Sequence, residues 1–187
     1  MSSYKEDNRK RLIGLLSSIK ASKNPSGWKH VASIAVGGLL AVGFSKKGSY
    51  LLVVSSQGRG VINCDTGEKV GRDDEPYEGL SDNNLICLGT GPIEGEEVTL
   101  SGLNGGGMPQ TTSKGESLEP VAPNWPEYDL ILCQNHKSAL VPGHQSECTK
   151  IYTEHVRAFG FSWCENYLVA ACGSDLDLWR RDRKSVV

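Results

Sequence analysis

The sequence predicts a mainly β (α+β) protein: antiparallel sheets built from two similar β-meanders, with one N-terminal amphipathic helix. Three observations carry that expectation. From Val31 onward, short runs rich in β-branched or small apolar residues alternate with turn-forming residues, which is strand spacing rather than helical period. One phrase is written twice, GFSKKGSYLLVV from Gly43 and GFSWCENYLVAA from Gly160. Glycine is abundant, 22 of 187 residues, which favours turns and sheet bends because glycine weakens helix interiors.

The helix is expected over residues 4–20. Leu12, Leu15, Leu16 and Ile19 fall at i, i+3, i+4 and i+7 and so share one face. Basic residues occupy the other face, and Asn24-Pro25-Ser26-Gly27 ends the segment. The leucine face is expected to pack against a sheet. Next come VASIAV, LLAVGF, YLLVVSS and GVINC, separated by Gly-Gly, Lys-Lys-Gly-Ser and Gln-Gly-Arg-Gly. They predict a first meander over residues 31–71. Residues 72–150 form the middle: an acidic loop, strands at NLICLGT and EEVTLSGL, a polar glycine-rich surface segment, an extended LEPVAPNWP, a strand at YDLILCQ and the loop NHKSALVPGHQSE. A second meander is predicted over 151–180 from HVRAFGFS, YLVAAC and DLDLWRR. The whole, 1–187, is read as one domain.

The twice-written phrase aligns without a gap at an offset of 117. Ala41, Gly43, Phe44, Ser45, Tyr50 and Leu51 meet Ala158, Gly160, Phe161, Ser162, Tyr167 and Leu168. One supersecondary unit is therefore used twice, and the Phe and Tyr of each copy are expected as anchors on its inner face. Each copy resembles a single blade of a WD-type β-propeller, with Asp175-Leu176-Asp177-Leu178-Trp179 and Val61-Ile62-Asn63-Cys64-Asp65 where a blade's third strand ends. A closed propeller needs at least about four such blades. The middle of the chain does not supply them, so two antiparallel sheets, or one strongly bent sheet, are expected instead.

Composition places the chain among soluble globular proteins, at 38% apolar and 22% charged residues. No secretory signal is visible, and the apolar-rich run VASIAVGGLLAVGF is too short to span a bilayer. The six cysteines are dispersed and mostly lie in apolar runs, which reads as buried free thiols in a reducing cytoplasm. The net charge of −2 conceals an uneven distribution. Residues 65–97 hold ten acids against Lys69 and Arg72, a net charge of −8. That segment argues against nucleic acid as a partner and for a basic protein. A solvated acidic loop is the alternative.

No catalytic constellation is apparent. The sequence lacks G-x-S-x-G, H-E-x-x-H, the P-loop and G-x-G-x-x-G. Cys133, His136, His144 and Cys148 have the residue types for a tetrahedral zinc site. Their internal gap is shorter than in common zinc fingers, and Cys133 ends an apolar strand that would point it into a core. No metal and no cofactor are assigned. Cys148 with His144 or His155 is a formal nucleophile–base pair, but nothing nearby lowers the thiol pKa. Two tryptophans stand in positions suited to binding: Trp125 between prolines, and Trp163 in the turn of the second copy, where the first has Lys46.

The run from Gly91 to Gln134 resembles a segment of small bacterial immunity proteins from polymorphic-toxin and contact-dependent growth-inhibition systems. The resemblance lies in Gly102-Leu103, Gly105-Gly106-Gly107, Thr111-Thr112, Gly115 and Pro123-Asn124-Trp125-Pro126. It implies a bacterial toxin-antitoxin partnership: stoichiometric binding of a cognate toxin domain, with no catalysis and no membrane. Many such toxin domains are basic nucleases. The residues expected to bind one are Asp73, Asp74, Glu75, Glu78, Glu94, Glu96 and Glu97, with Trp163 or Trp125 as anchor. A general β-rich, propeller-like interaction module is the alternative, and a zinc-dependent enzyme a lesser one. Oligomeric state is not legible from the sequence.

Overall fold

A computed structural model of the chain describes residues 3–75 and 79–182. Where the sequence reads as one domain, contacts group the residues into two compact units. One runs up to Ser26 and takes in Gln110–His155; the other takes in Gly27–Pro109 and the chain from Val156. In chain order the elements are α1 (Ser3–Leu16), β1 (Trp28–Ala35), β2 (Leu39–Phe44), β3 (Tyr50–Ser55), β4 (Gly58–Asn63), β5 (Lys69–Asp73), β6 (Ile86–Leu88), β7 (Glu97–Thr99), β8 (Ser101–Gly102), β9 (Gly105–Gly106), β10 (Ser117–Val121), β11 (Asp129–Cys133), β12 (Cys148–Thr153), β13 (Ala158–Phe161), β14 (Tyr167–Ala171) and β15 (Asp175–Arg181). The fold is mainly β with one helix near the N-terminus, and every paired strand is antiparallel to its neighbour.

The first unit is the sheet β10-β11-β12 with α1. The helix ends four residues earlier than expected. The Ser17 and Ser18 hydroxyls donate back to the carbonyls of Gly14 and Leu15, and such local bonds compete with helix propagation. Leu16 and Ile19 are still buried, in a cluster with Val121, Ile131, Cys133, Ala139 and Cys148. Strand β12 joins this sheet through Cys133↔Cys148 and Asp129↔Thr153, so the second meander begins later than residue 151. Its polar composition, Cys-Thr-Lys-Ile-Tyr-Thr, had concealed it.

In the second unit the repeated phrase becomes repeated geometry. The pairs Ala41↔Val54, Phe44↔Leu51, Leu52↔Val61 and Tyr50↔Asn63 of β2-β3-β4 recur 117 residues on as Ala158↔Ala171, Phe161↔Leu168, Val169↔Leu178 and Tyr167↔Arg180 of β13-β14-β15. Even the turn bond recurs: Ser45 N donates to Tyr50 O, and Ser162 N to Tyr167 O, both at 2.9 Å. The two copies lie in separate sheets, β5-β4-β3-β2-β8-β9 and β1-β15-β14-β13.

Two expectations are corrected. VASIAV does not belong to the first meander. Its residues 31–35 lie in β1, which pairs with β15 from Trp28↔Arg181 to Ala35↔Asp175. The Gly37-Gly38 link enforces this: Val36 N donates to Ser174 O and Leu39 N to Gly173 O, so the link is bonded to the β14–β15 turn. Nor do the Phe and Tyr of each copy share a face. Phe44 is opposite Leu51, and Tyr50, one residue from Leu51, points the other way. Val42, Phe44, Leu51 and Val53 bury against Ala158, Tyr167, Val169, Ala171 and Leu178. The equivalents of that second set, Ala41, Tyr50, Leu52, Val54 and Val61, line the opposite face of the first meander. The copies therefore stack front to back.

Polar groups fasten the stack. The Tyr167 hydroxyl bonds to Ser49 Oγ at 2.6 Å and to Asp65 Oδ1 at 2.9 Å. Trp163 Nε1 donates to Phe44 O at 3.3 Å, and Lys46 Nζ lies 4.8 Å from the Trp163 ring centroid. The repeated glycines allow close approach of the next segment: a Cβ on Gly43 would meet Thr99 O at 2.2 Å, and one on Gly160 would meet Met108 Cβ at 2.3 Å. Gly43→Ala and Gly160→Ala are therefore each expected to lower stability in urea unfolding by about 1–3 kcal/mol. Gly37→Ala, where a Cβ meets nothing within 4 Å, is expected to cost less than about 0.5 kcal/mol.

Candidate protein-interaction face

The acidic segment folds against the outer side of the first meander. Arg59, buried on β4, organises it. Its Nε and Nη2 donate to Asp73 Oδ2 at 3.0 and 2.7 Å, and its Nη1 donates to Leu88 O at 2.8 Å. One planar guanidinium thus ties β4, β5 and β6 together. The other Asp73 oxygen accepts the Glu75 N–H at 3.0 Å. That N–H and the Arg59 guanidinium hold the Asp73 carboxyl below its ordinary range. Gly79 has φ +72° and lies against Arg59, where a Cβ would meet Nη1 at 2.0 Å.

The predicted acidic residues divide into two groups. Glu96 is only 6% exposed. Its carboxylate accepts the Ser45 hydroxyl and the Lys46 N–H, both at 2.7 Å, so it secures the first meander's turn and presents no free charge to a partner. Asp73 is similarly engaged with Arg59. Asp74, Glu75, Glu94 and Glu97 are exposed; Asp74 pairs with Arg72, and Glu94 accepts the Gly91 N–H. Glu78 lies outside the described residues.

The hairpin β6–β7 adds a feature that the sequence did not reveal. Period-2 alternation turns Cys87 and Val98 into the core beside Leu100 and Ile93. It turns Ile86 and Leu88 outward, at 39% and 41% exposure. Leu88 is directly opposite Glu97, and Ile86 opposite Thr99. Two exposed aliphatic side chains thus stand beside Glu97, with Asp74, Glu75 and Glu94 on neighbouring segments. The alternation in NLICL was present in the sequence; which side of it faced outward was not.

Trp163 is 45% exposed and held by Phe44 O and Lys46. Trp125, in the other unit, is 75% exposed. The residues with zinc-ligand chemistry separate. Cys133 and Cys148 are buried with their sulfurs 3.4 Å apart, whereas His136 lies over Gly115 and His144 Nδ1 accepts the Ser138 N–H. Burial raises both thiol pKa values, opposite to what a thiolate ligand or nucleophile needs. Cys148 Sγ contacts the backbone carbonyl of His144, and His155 stacks edge-on with Tyr128.

Arg59→Leu is expected to lower stability by about 1–3 kcal/mol, because Leu88 O and Asp73 lose their donor, and to increase proteolytic cleavage between residues 79 and 85. The depressed Asp73 pKa sets the sign of the pH effect. Its contribution is fully present above about pH 4 and is lost as pH falls through the lower folded-state value. Asp73→Asn should therefore flatten the acid limb of a stability-versus-pH curve while leaving the alkaline limb unchanged.

No family model matches the sequence, and no curated protein matches it.

Proposed function

We propose that this chain is a stoichiometric inhibitor, an immunity protein that binds a basic toxin domain and blocks its active surface. The observation that carries the reading is the face built by β6–β7: exposed Ile86 and Leu88 beside Glu97, with Asp74, Glu75 and Glu94 nearby. Apolar side chains with acids beside them suit a partner that is basic next to an apolar contact. The acids would raise the association rate and stand in for the phosphates a nuclease expects, while the aliphatic pair would slow dissociation. Trp163 is a second anchor in the same unit. The role is binding, without catalysis.

A second reading is a general propeller-like interaction module. It is supported by the front-to-back stacking of two meanders in identical register, as successive blades stack. The readings differ in partner number: one tight partner for an inhibitor, several weak ones for a module.

Tagged protein would be purified from its host at low salt and the mass of any co-purifying chain determined. A single basic chain in 1:1 ratio is the expected result. Leu88→Ala should then weaken its binding about tenfold or more, mainly through faster dissociation. Glu97→Lys with Glu75→Lys should slow association and flatten its salt dependence. Several weak partners would favour the module. A 1:1 partner indifferent to both variants would place the interface elsewhere.

A further inference from the structure

The unit formed by β10, β11, β12 and α1 contains a pair of sulfurs that the proposed binding role does not use. Cys133 and Cys148 are direct cross-strand partners on β11 and β12. One position along, Gln134 N donates to Glu147 O at 3.0 Å. In an antiparallel ladder this makes Cys133↔Cys148 a non-hydrogen-bonded pair, the position at which backbones approach most closely, with Cα atoms about 4.5 Å apart. Their Sγ atoms lie 3.4 Å apart in the core cluster with Leu16, Ile19 and Ile131. A disulfide requires sulfurs about 2.0 Å apart and Cα atoms within about 4.4–6.8 Å, so small side-chain rotations close the bond without moving the strands.

We propose that Cys133 and Cys148 form a reversible dithiol–disulfide site, oxidised by peroxides, that staples β11 to β12 across the loop 134–147. The chemistry balances with the peroxide as the named oxidant. Cys148, the less buried of the two, attacks the O–O bond as its thiolate; an S–O bond forms, the O–O bond breaks and one water leaves. The Cys133 sulfur then attacks the Cys148 sulfenic sulfur; the S–S bond forms, the S–O bond breaks and the second water leaves with the Cys133 proton. Two thiols lose two electrons and two protons, and hydrogen peroxide is reduced to two waters. Burial raises both thiol pKa values, so the thiolate is scarce at neutral pH and the step is slow there.

The test uses the full chain carrying Cys164→Ser, which removes the one exposed cysteine. After hydrogen peroxide at pH 8.5, remaining thiols are alkylated and the unreduced protein is digested for mass spectrometry. The expected product is a monomer lighter by two hydrogens, with the Cys133 and Cys148 peptides linked, and with the link lost after dithiothreitol. The oxidised protein should have a higher urea midpoint than the reduced protein, and Cys148→Ser should abolish that difference. Recovery of Cys133 and Cys148 both alkylated, or linked only to other chains or to other cysteines, would overturn the proposal. It stands independently of the immunity reading: toxin binding on the other unit neither supports nor removes it.

Discussion

The pairing of β1 with β15 is the constraint on which the second unit depends. It joins segments 140 to 153 residues apart in sequence, from Ala35↔Asp175 to Trp28↔Arg181. Closing so long a loop costs a few kcal/mol of chain entropy, and the ladder is accompanied by large buried contacts. Trp28 lies 5.6 Å from the Phe161 ring and under the Arg181 guanidinium, while His30 meets Asp177 at 2.9 Å and the edge of Trp179. With β1 in place, β15 is bonded on both edges and Trp179 is fully buried, which removes an apolar edge strand that would otherwise invite pairing with another chain. The short Gly37-Gly38 link then delivers β2 beside that sheet, and the first meander stacks on the second.

That stacking explains why two segments with the same register bury different faces. Every residue of β14 and nearly every residue of β3 is buried. Strands covered on both sides read as continuous apolar runs rather than as alternation. YLLVVS and YLVAA therefore need cover above and below. In the first meander one cover is the second meander and the other is the hairpin β6–β7 with Ile93 and Leu100. The hairpin that carries the candidate interaction face is thus also part of the core, through Cys87 and Val98, which fixes Ile86 and Leu88 on its outer side.

The acidic segment shows how a charge count and a surface differ. Ten acids in sequence are not ten surface charges. Glu96 closes a turn, and Asp73 neutralises a buried arginine. Leaving any of these polar groups unpaired inside would be costly, and among the described residues no buried side-chain nitrogen or oxygen lacks a partner. Exposed Asp65 and Glu68 lie in the β4–β5 turn, and the electrostatic part of the binding proposal rests on Asp74, Glu75, Glu94 and Glu97 rather than on the total.

The sequence by itself determined the mainly β class, the N-terminal helix, the duplicated meander and most strand positions; LLAVGF and DLDLWRR match β2 and β15 in full. These are local properties, set by side-chain type, turn glycines and a repeat that needs no partner to be read. Tertiary structure alone decided that VASIAV leaves its neighbours for β15, that Phe and Tyr of each copy face opposite ways, that Arg59 is a buried bridge and that Cys133 meets Cys148. Each depends on which distant segment covers a given strand face. A fully apolar run carries no mark of its two sides, and an arginine between two glycines looks like a solvated turn until an aspartate and a carbonyl from other strands arrive beside it.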